Sequence, residues 1–222
     1  MAVHAARQRF ALELDNLQKK LSDMGLTVVE MLSRVIDALE YGDAGKAHQV
    51  EEMDDIVDRY NIEIEADALR LLALQQPMAK DLRIIAAALK IITDVERAGD
   101  YAYDIARIVL QLVEGAEYRM PDMIPKMAEV VREMLCETMT AFKTRDLKLV
   151  SSMIAHDAEV DSLFNRLYEY TVSRIQKDPH IADEAVSMLF IGRYMERIAD
   201  HMTNVGERIY YMETGELKEL HT

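Results

Sequence analysis

Four pairs of acidic residues carry the chemistry this sequence offers: Asp54 with Asp58, Glu96 with Asp100, Asp157 with Asp161, and Glu196 with Asp200. Within each pair the partners stand four residues apart. On a helix that spacing puts both carboxylates on one face, with Cβ atoms roughly 5–6 Å apart. Two neighbouring helices presenting such pairs to each other gather four carboxylates on one patch. The patch repels itself unless something positive occupies it, either an Arg or Lys side chain or a metal ion that prefers oxygen ligands.

Spacing alone does not single these residues out. With 40 acidic residues in 222, chance gives about seven i,i+4 acidic pairs, and solvated helix faces are their ordinary explanation. Placement is more informative. Glu96-Arg97-Ala98-Gly99-Asp100 matches Glu196-Arg197-Ile198-Ala199-Asp200 at an offset of 100 residues, and the Asp54 and Asp157 pairs match at 103. Met53, Val57, Val95, Gly99, Val160, Met195 and Ala199 directly precede seven of the eight acids. The acidic stripe therefore flanks an apolar seam, at the rim of a helix–helix groove. Two occupants of that rim are open at this level: a metal ion, or salt bridges from Arg97 and Arg197.

An all-oxygen site suits Mg, Ca, Mn or Fe. The Glu-x-x-His pattern of ferritin-like di-iron bundles is missing, since no residue three before any of the six His is Glu. His156 and His201 adjoin Asp157 and Asp200, but a helical neighbour points about 100° away, so they read as surface or supporting groups. The sequence contains no P-loop, dinucleotide fingerprint, His-Glu-x-x-His or Gly-x-Ser-x-Gly motif. Gly99, Gly192 and Gly206 read as close backbone approaches at packed crossings.

The elements that must position these acids are helices. Half of the residues are hydrophobic, Trp is absent, and only 8 Gly and 4 Pro interrupt the chain, a composition that favours helix. Turn-like clusters fall at 41–45, 75–77, 114–125, 143–146 and 177–179, with Asp43, Asp146 and Asp178 as N-caps. Helices of about 20–35 residues lie between them. Phe10, Leu14, Leu17, Leu21, Met24, Val28, Met31, Val35 and Ala38 alternate steps of four and three, as do Ile84 to Leu112 in the third segment. Such seams predict an antiparallel, all-α bundle. The repeat divides it into two tandem, pseudo-symmetric three-helix bundles, residues 1–116 and 117–222.

A net charge of −14 argues against binding nucleic acid or an anionic membrane surface. No run approaches the ~18 apolar residues of a membrane span, and no secretory signal precedes the first helix, which points to the cytoplasm. Cys136, the single cysteine, reads as a half-buried small hydrophobe.

The stretch Gln75-Gln76-Pro77-Met78-Ala79-Lys80-Asp81-Leu82-Arg83, running on to Glu96-Arg97-Ala98-Gly99-Asp100, resembles the PhoU family of bacterial phosphate-uptake regulators, and the likeness extends from about Phe10 to Met212. The resemblance implies a non-enzymatic negative regulator of phosphate uptake and of the phosphate-starvation response. Such a protein links the phosphate ABC transporter to its sensor histidine kinase at the inner face of the membrane, probing no bilayer itself, and acts as a homodimer. It further implies multinuclear metal clusters, of iron in the first instance and otherwise zinc, manganese or magnesium. Carried over residue by residue, the ligands are Asp54, Asp58, Glu96 and Asp100 in the first half and Asp157, Asp161, Glu196 and Asp200 in the second. Asp104 extends the first set, whereas its counterpart is Asn204, so unequal sites are expected. Two readings from other classes stand beside this one: a carboxylate-bridged metalloenzyme, and a metal-free scaffold whose acidic rims dock basic surfaces.

Overall fold

A computed structural model describes residues 2–75, 77–115 and 118–220, and side chains within them from Arg7. Gln76 of the quoted stretch and the expected division between 116 and 117 lie outside the described residues. Six α-helices follow in order: α1 (Ala2–Tyr41), α2 (Ala44–Gln75), α3 (Ala79–Glu114), α4 (Met123–Thr144), α5 (Leu147–Lys177) and α6 (Ala182–Thr214). A 3₁₀ turn, Pro179–Ile181, precedes α6. Every expected junction falls between helices, but α1 runs 40 residues, beyond the expected range. Between Ala2 and Met24 it meets neither Gly nor Pro, so nothing shortens it.

Both turns between the first two helices of each half are capped by the expected Asp. Asp43 Oδ1 accepts from the backbone N–H groups of Gly45 (3.0 Å) and Lys46 (3.2 Å), and Asp146 Oδ1 accepts from Lys148 N–H at 2.9 Å. These bonds satisfy helix donors that lack an intrahelical acceptor. Asp178 does the same for the 3₁₀ turn, accepting from His180 N–H at 3.1 Å.

The two heptad seams are the core. Leu14 through Ala38 of the α1 series and Ile84 through Leu112 of the α3 series are buried, with Phe10 packed partly against them. Helices α1, α2 and α3 pack on one another, as do α4, α5 and α6, and the two bundles join through α3 on α6 and α1 on α4. The α3–α6 pairing is the most extensive in the molecule, and among the described residues α2 and α5 touch no helix of the other half. One continuous hydrophobic cluster runs through both bundles.

Polar groups also tie the halves. Asp94 on α3 bonds His201 Nδ1 at 3.0 Å and accepts from Asn204 Nδ2 at 3.3 Å, both on α6. Beside them the rings of Tyr101 and Tyr194 stack at 5.6 Å. None of the described helices is long and apolar enough to cross a membrane.

Candidate metal centre

The acids lie where the seam argument expects them. Val57, Val95, Gly99, Val160, Met195 and Ala199 are buried and Met53 is half-buried, while Asp54, Glu96, Asp100, Asp104, Asp157, Glu196 and Asp200 are half-buried at the rim and Asp58 and Asp161 are exposed. The first-half set occupies the groove between α2 and α3. Gly99 is what lets these helices close: a Cβ there would stand 3.2 Å from Val57 Cγ1, and Val57 separates Asp54 from Asp58. This is the packing role expected for Gly99. Gly192, likewise, abuts Leu167 and Gly206 abuts Met153.

In the first half the carboxylates sense one another. Burial, reinforced by the charges of Asp58, Asp100, Asp55 and Glu96, pushes the Asp54 carboxyl up to about 6. Glu96 is also raised, first by burial, then by Asp100 and Asp58, against the opposing charges of Arg97 and His201. Burial raises Asp104 as well, with Asp100 adding to the effect and Arg107 opposing it. The four expected ligands of this half thus share one electrostatic patch, and Asp104 adjoins it. Because mutual repulsion raises the cost of ionisation, a cation placed among them gains what the protons otherwise supply.

The second half repeats the arrangement with more positive charge. Burial raises Glu196, and Asp200 and Asp161 add to it, but Arg193 and Arg197 oppose. Arg193 Nη1 donates to both oxygens of Glu196, and its guanidinium lies 5.6 Å from the Phe164 ring centre. Arg197 pairs with Asp200 at 3.1 Å. In the first half, Arg97 pairs with Asp100 at 2.9 Å and approaches Glu96 at 3.7 Å. The expected Arg rim is therefore present in both halves. Arg97 is 56 % exposed, however, and exposed pairs of this kind contribute little. Asn204 turns to Asp94 of the other half, so it is a link between the bundles as well as the counterpart of Asp104.

An oxygen-only, partly buried and self-repelling donor set fits a hard or borderline cation, with Asp54, Asp58, Glu96 and Asp100 better suited than their second-half counterparts. Two features escaped the sequence reading. Arg193 sits three residues before Glu196, a spacing that was available but not used. His156, set aside as a neighbour of Asp157, faces Glu137 on α4. The widest groove lies elsewhere, between α1 and α2, and its Lys20 is already bonded to Glu63 (2.8 Å) and Asp67 (2.9 Å).

A model of the PhoU domain matches the chain twice, over residues 21–109 and 124–209. The phosphate-specific transport system accessory protein PhoU homolog of Clostridium acetobutylicum is 34% identical over 215 residues, 96% of this chain and 98% of that protein. Its Pseudomonas aeruginosa counterpart is 32% identical over 213 residues, 96% of this chain and 88% of that one. The crystal structure of PhoU from P. aeruginosa superimposes with a TM-score of 0.89 at 32% identity, covering 93% of this chain and all of that one. The phosphate transport system regulatory protein PhoU from Streptococcus pneumoniae gives 0.87 at 30% identity, covering 94% and 99%.

Proposed function

Because this chain belongs to the PhoU family, we propose that it is a regulatory accessory protein of a phosphate-specific transport system. In this reading it restrains phosphate uptake and the starvation response by joining the transporter to a sensor histidine kinase. The observation that carries the proposal is the match of both repeats, over nearly the whole chain, to proteins named as accessory to that system. The printed names support the association with the transport system; the kinase link, the homodimer and a place at the inner face of the membrane are extensions of it.

Regulation of this kind acts through differential binding. The protein must favour one state of the transporter or kinase over another, since equal affinity for both shifts nothing. The six-helix body is suited to the task, with α2 and α5 each contacting only its own half and presenting an outer face to a partner.

We further propose that Asp54, Asp58, Glu96 and Asp100, with Asp104 adjacent, hold metal in the first half, and that Asp157, Asp161, Glu196 and Asp200 hold it in the second. Iron, zinc or manganese bound there would bridge neighbouring helices electrostatically. On the protein's side, Gly99 sets the α2–α3 approach and Arg97 neutralises part of the rim.

Deleting the gene tests the regulatory role. The expected outcome is loss of phosphate-responsive repression, restored by the wild-type chain; unchanged repression in the deletion strain would overturn it. The repression restored by Asp54→Asn/Glu96→Gln then tests the acidic pairs separately.

A further inference from the structure

We propose that Glu133, Glu137 and His156 form a second kind of metal site, one that binds a single divalent first-row transition ion. It lies in the α4–α5 groove, independent of the acidic pairs and of the regulatory reading. One ligand atom from each residue lies within 4.8 Å of the other two. Donors sharing an ion with bonds of about 2.0–2.2 Å stand no more than about 4.4 Å apart, so a small closure suffices. On α5, His156 faces Glu137 of α4, whereas Asp161, on the Asp157 pair, is felt by Glu196 of α6.

The histidine supplies the first observation pointing to a ligand. Its Nδ1 is fully buried and has no hydrogen-bond partner, although Glu137 Oε2 stands 3.5 Å away. A buried nitrogen without a partner carries a desolvation cost that hydrogen bonding would normally offset. Glu137 is meanwhile aimed by a neighbour: Ser152 Oγ donates to the same Oε2 at 2.7 Å. Hydrogen bonds of this kind orient ligands in metal sites.

The repeat supplies the second. The α1–α2 and α4–α5 turns correspond at an offset of 103 residues, Asp43 with Asp146, and the buried Val28, Met31 and Leu32 correspond to Val131, Met134 and Leu135. The same offset places Glu30, Arg34, Gln49 and Met53 opposite Glu133, Glu137, Ser152 and His156. In the first half the Arg34 guanidinium fills this location, with Nε bonded to Glu30 at 3.0 Å and Nη1 to Gln49. Where one half supplies its own cation, the other replaces that cation by a carboxylate and adds an imidazole. Two oxygens and one nitrogen favour Zn, Mn, Fe or Co over Mg and Ca, and three protein ligands leave room for water.

Calorimetric titration of the chelator-stripped full-length chain with Zn²⁺ tests the site, comparing wild type, His156→Gln and Glu137→Arg/His156→Met. The last variant copies the first half, so Arg is expected to pair with Glu133 and preserve folding by circular dichroism. The expected result is loss of one Zn²⁺ equivalent, or weakening on the order of 100-fold, in both variants. Co²⁺ should give wild-type visible absorption bands that the variants lack. A Glu96→Gln/Glu196→Gln chain should retain this equivalent, which separates failure here from failure at the acidic pairs. Equal Zn²⁺ binding by wild type and His156→Gln, or no such equivalent in wild type, would overturn the proposal. If the double variant fails to fold, His156→Gln alone decides.

Discussion

Glu96 shares Arg97 with Asp100, whereas Glu196 is held by Arg193 and leaves Arg197 to Asp200. Position 93, which corresponds to Arg193, is Thr. The first half also carries Asp55 and Asp104 where the second has Ala158 and Asn204. One fold thus presents the same four carboxylates in two electrostatic settings. Burial raises a carboxyl in both, but repulsion dominates the rest of the first-half patch and guanidinium compensates the second. The backbone repeat preserves where acids stand, while neighbours outside the repeated motif decide how strongly they call for a cation.

The largest expected effect is on metal affinity. Asp54→Asn/Asp100→Asn should weaken first-half binding of Mn²⁺ or Fe²⁺ by roughly 100-fold, or about 3 kcal/mol, and Asp157→Asn/Asp200→Asn should cost less. Calorimetry on chelator-stripped protein reads both. Exchanging the distinguishing arginine should narrow the gap. Thr93→Arg is expected to lower first-half affinity about tenfold and Arg193→Thr to raise second-half affinity by a similar factor.

A third contrast lies at the turns. Gly42 and Arg145 occupy corresponding positions, and both are left-handed, with φ of 66° and 64°. Glycine adopts that conformation without strain, while arginine needs compensation. Arg145 finds it by bonding Gln18 of α1 and lying 4.7 Å from the Phe142 ring centre. Arg145→Gly should therefore destabilise by about 1 kcal/mol despite relieving the backbone, because it removes a tie between the bundles. Gly42→Ala should cost about the same through strain alone. Urea denaturation distinguishes these outcomes from no change.

The smallest effect concerns pH in metal-free protein. Asp54 has a folded value near 6, above the ~3.9 of an unfolded chain. Its proton is held more tightly when folded, so ionisation lowers stability as pH rises from about 4 through 6. Asp54→Asn should remove that slope and raise stability at pH 7.5 by about 1 kcal/mol or less, since solvent screens a half-buried group. Denaturation midpoints across pH 4–8 measure it; an unaltered slope would show that Asp54 is not the group responsible.

Much of this was legible in the sequence. The alternating steps of Leu14 to Ala38 and Ile84 to Leu112 fixed the buried faces, and the Asp caps with Pro and Gly clusters marked the helix junctions. The carboxylate patch followed because i,i+4 spacing and the adjacent seam residues define a direction on each helix. What stayed hidden depends on how helices rotate against one another. Asp94 meeting His201 across the α3–α6 seam has no local signature. Glu133 and Glu137 look like one more solvated acidic pair until α5 brings His156 against them.

The most direct test is an anaerobic calorimetric titration with Fe²⁺ in the Glu137→Arg/His156→Met background, which silences the α4–α5 site. The account predicts two classes of binding, with the tighter lost in Asp54→Asn/Asp100→Asn and the weaker lost in Asp157→Asn/Asp200→Asn. Equal affinities in the two halves, or no binding by either, would contradict it.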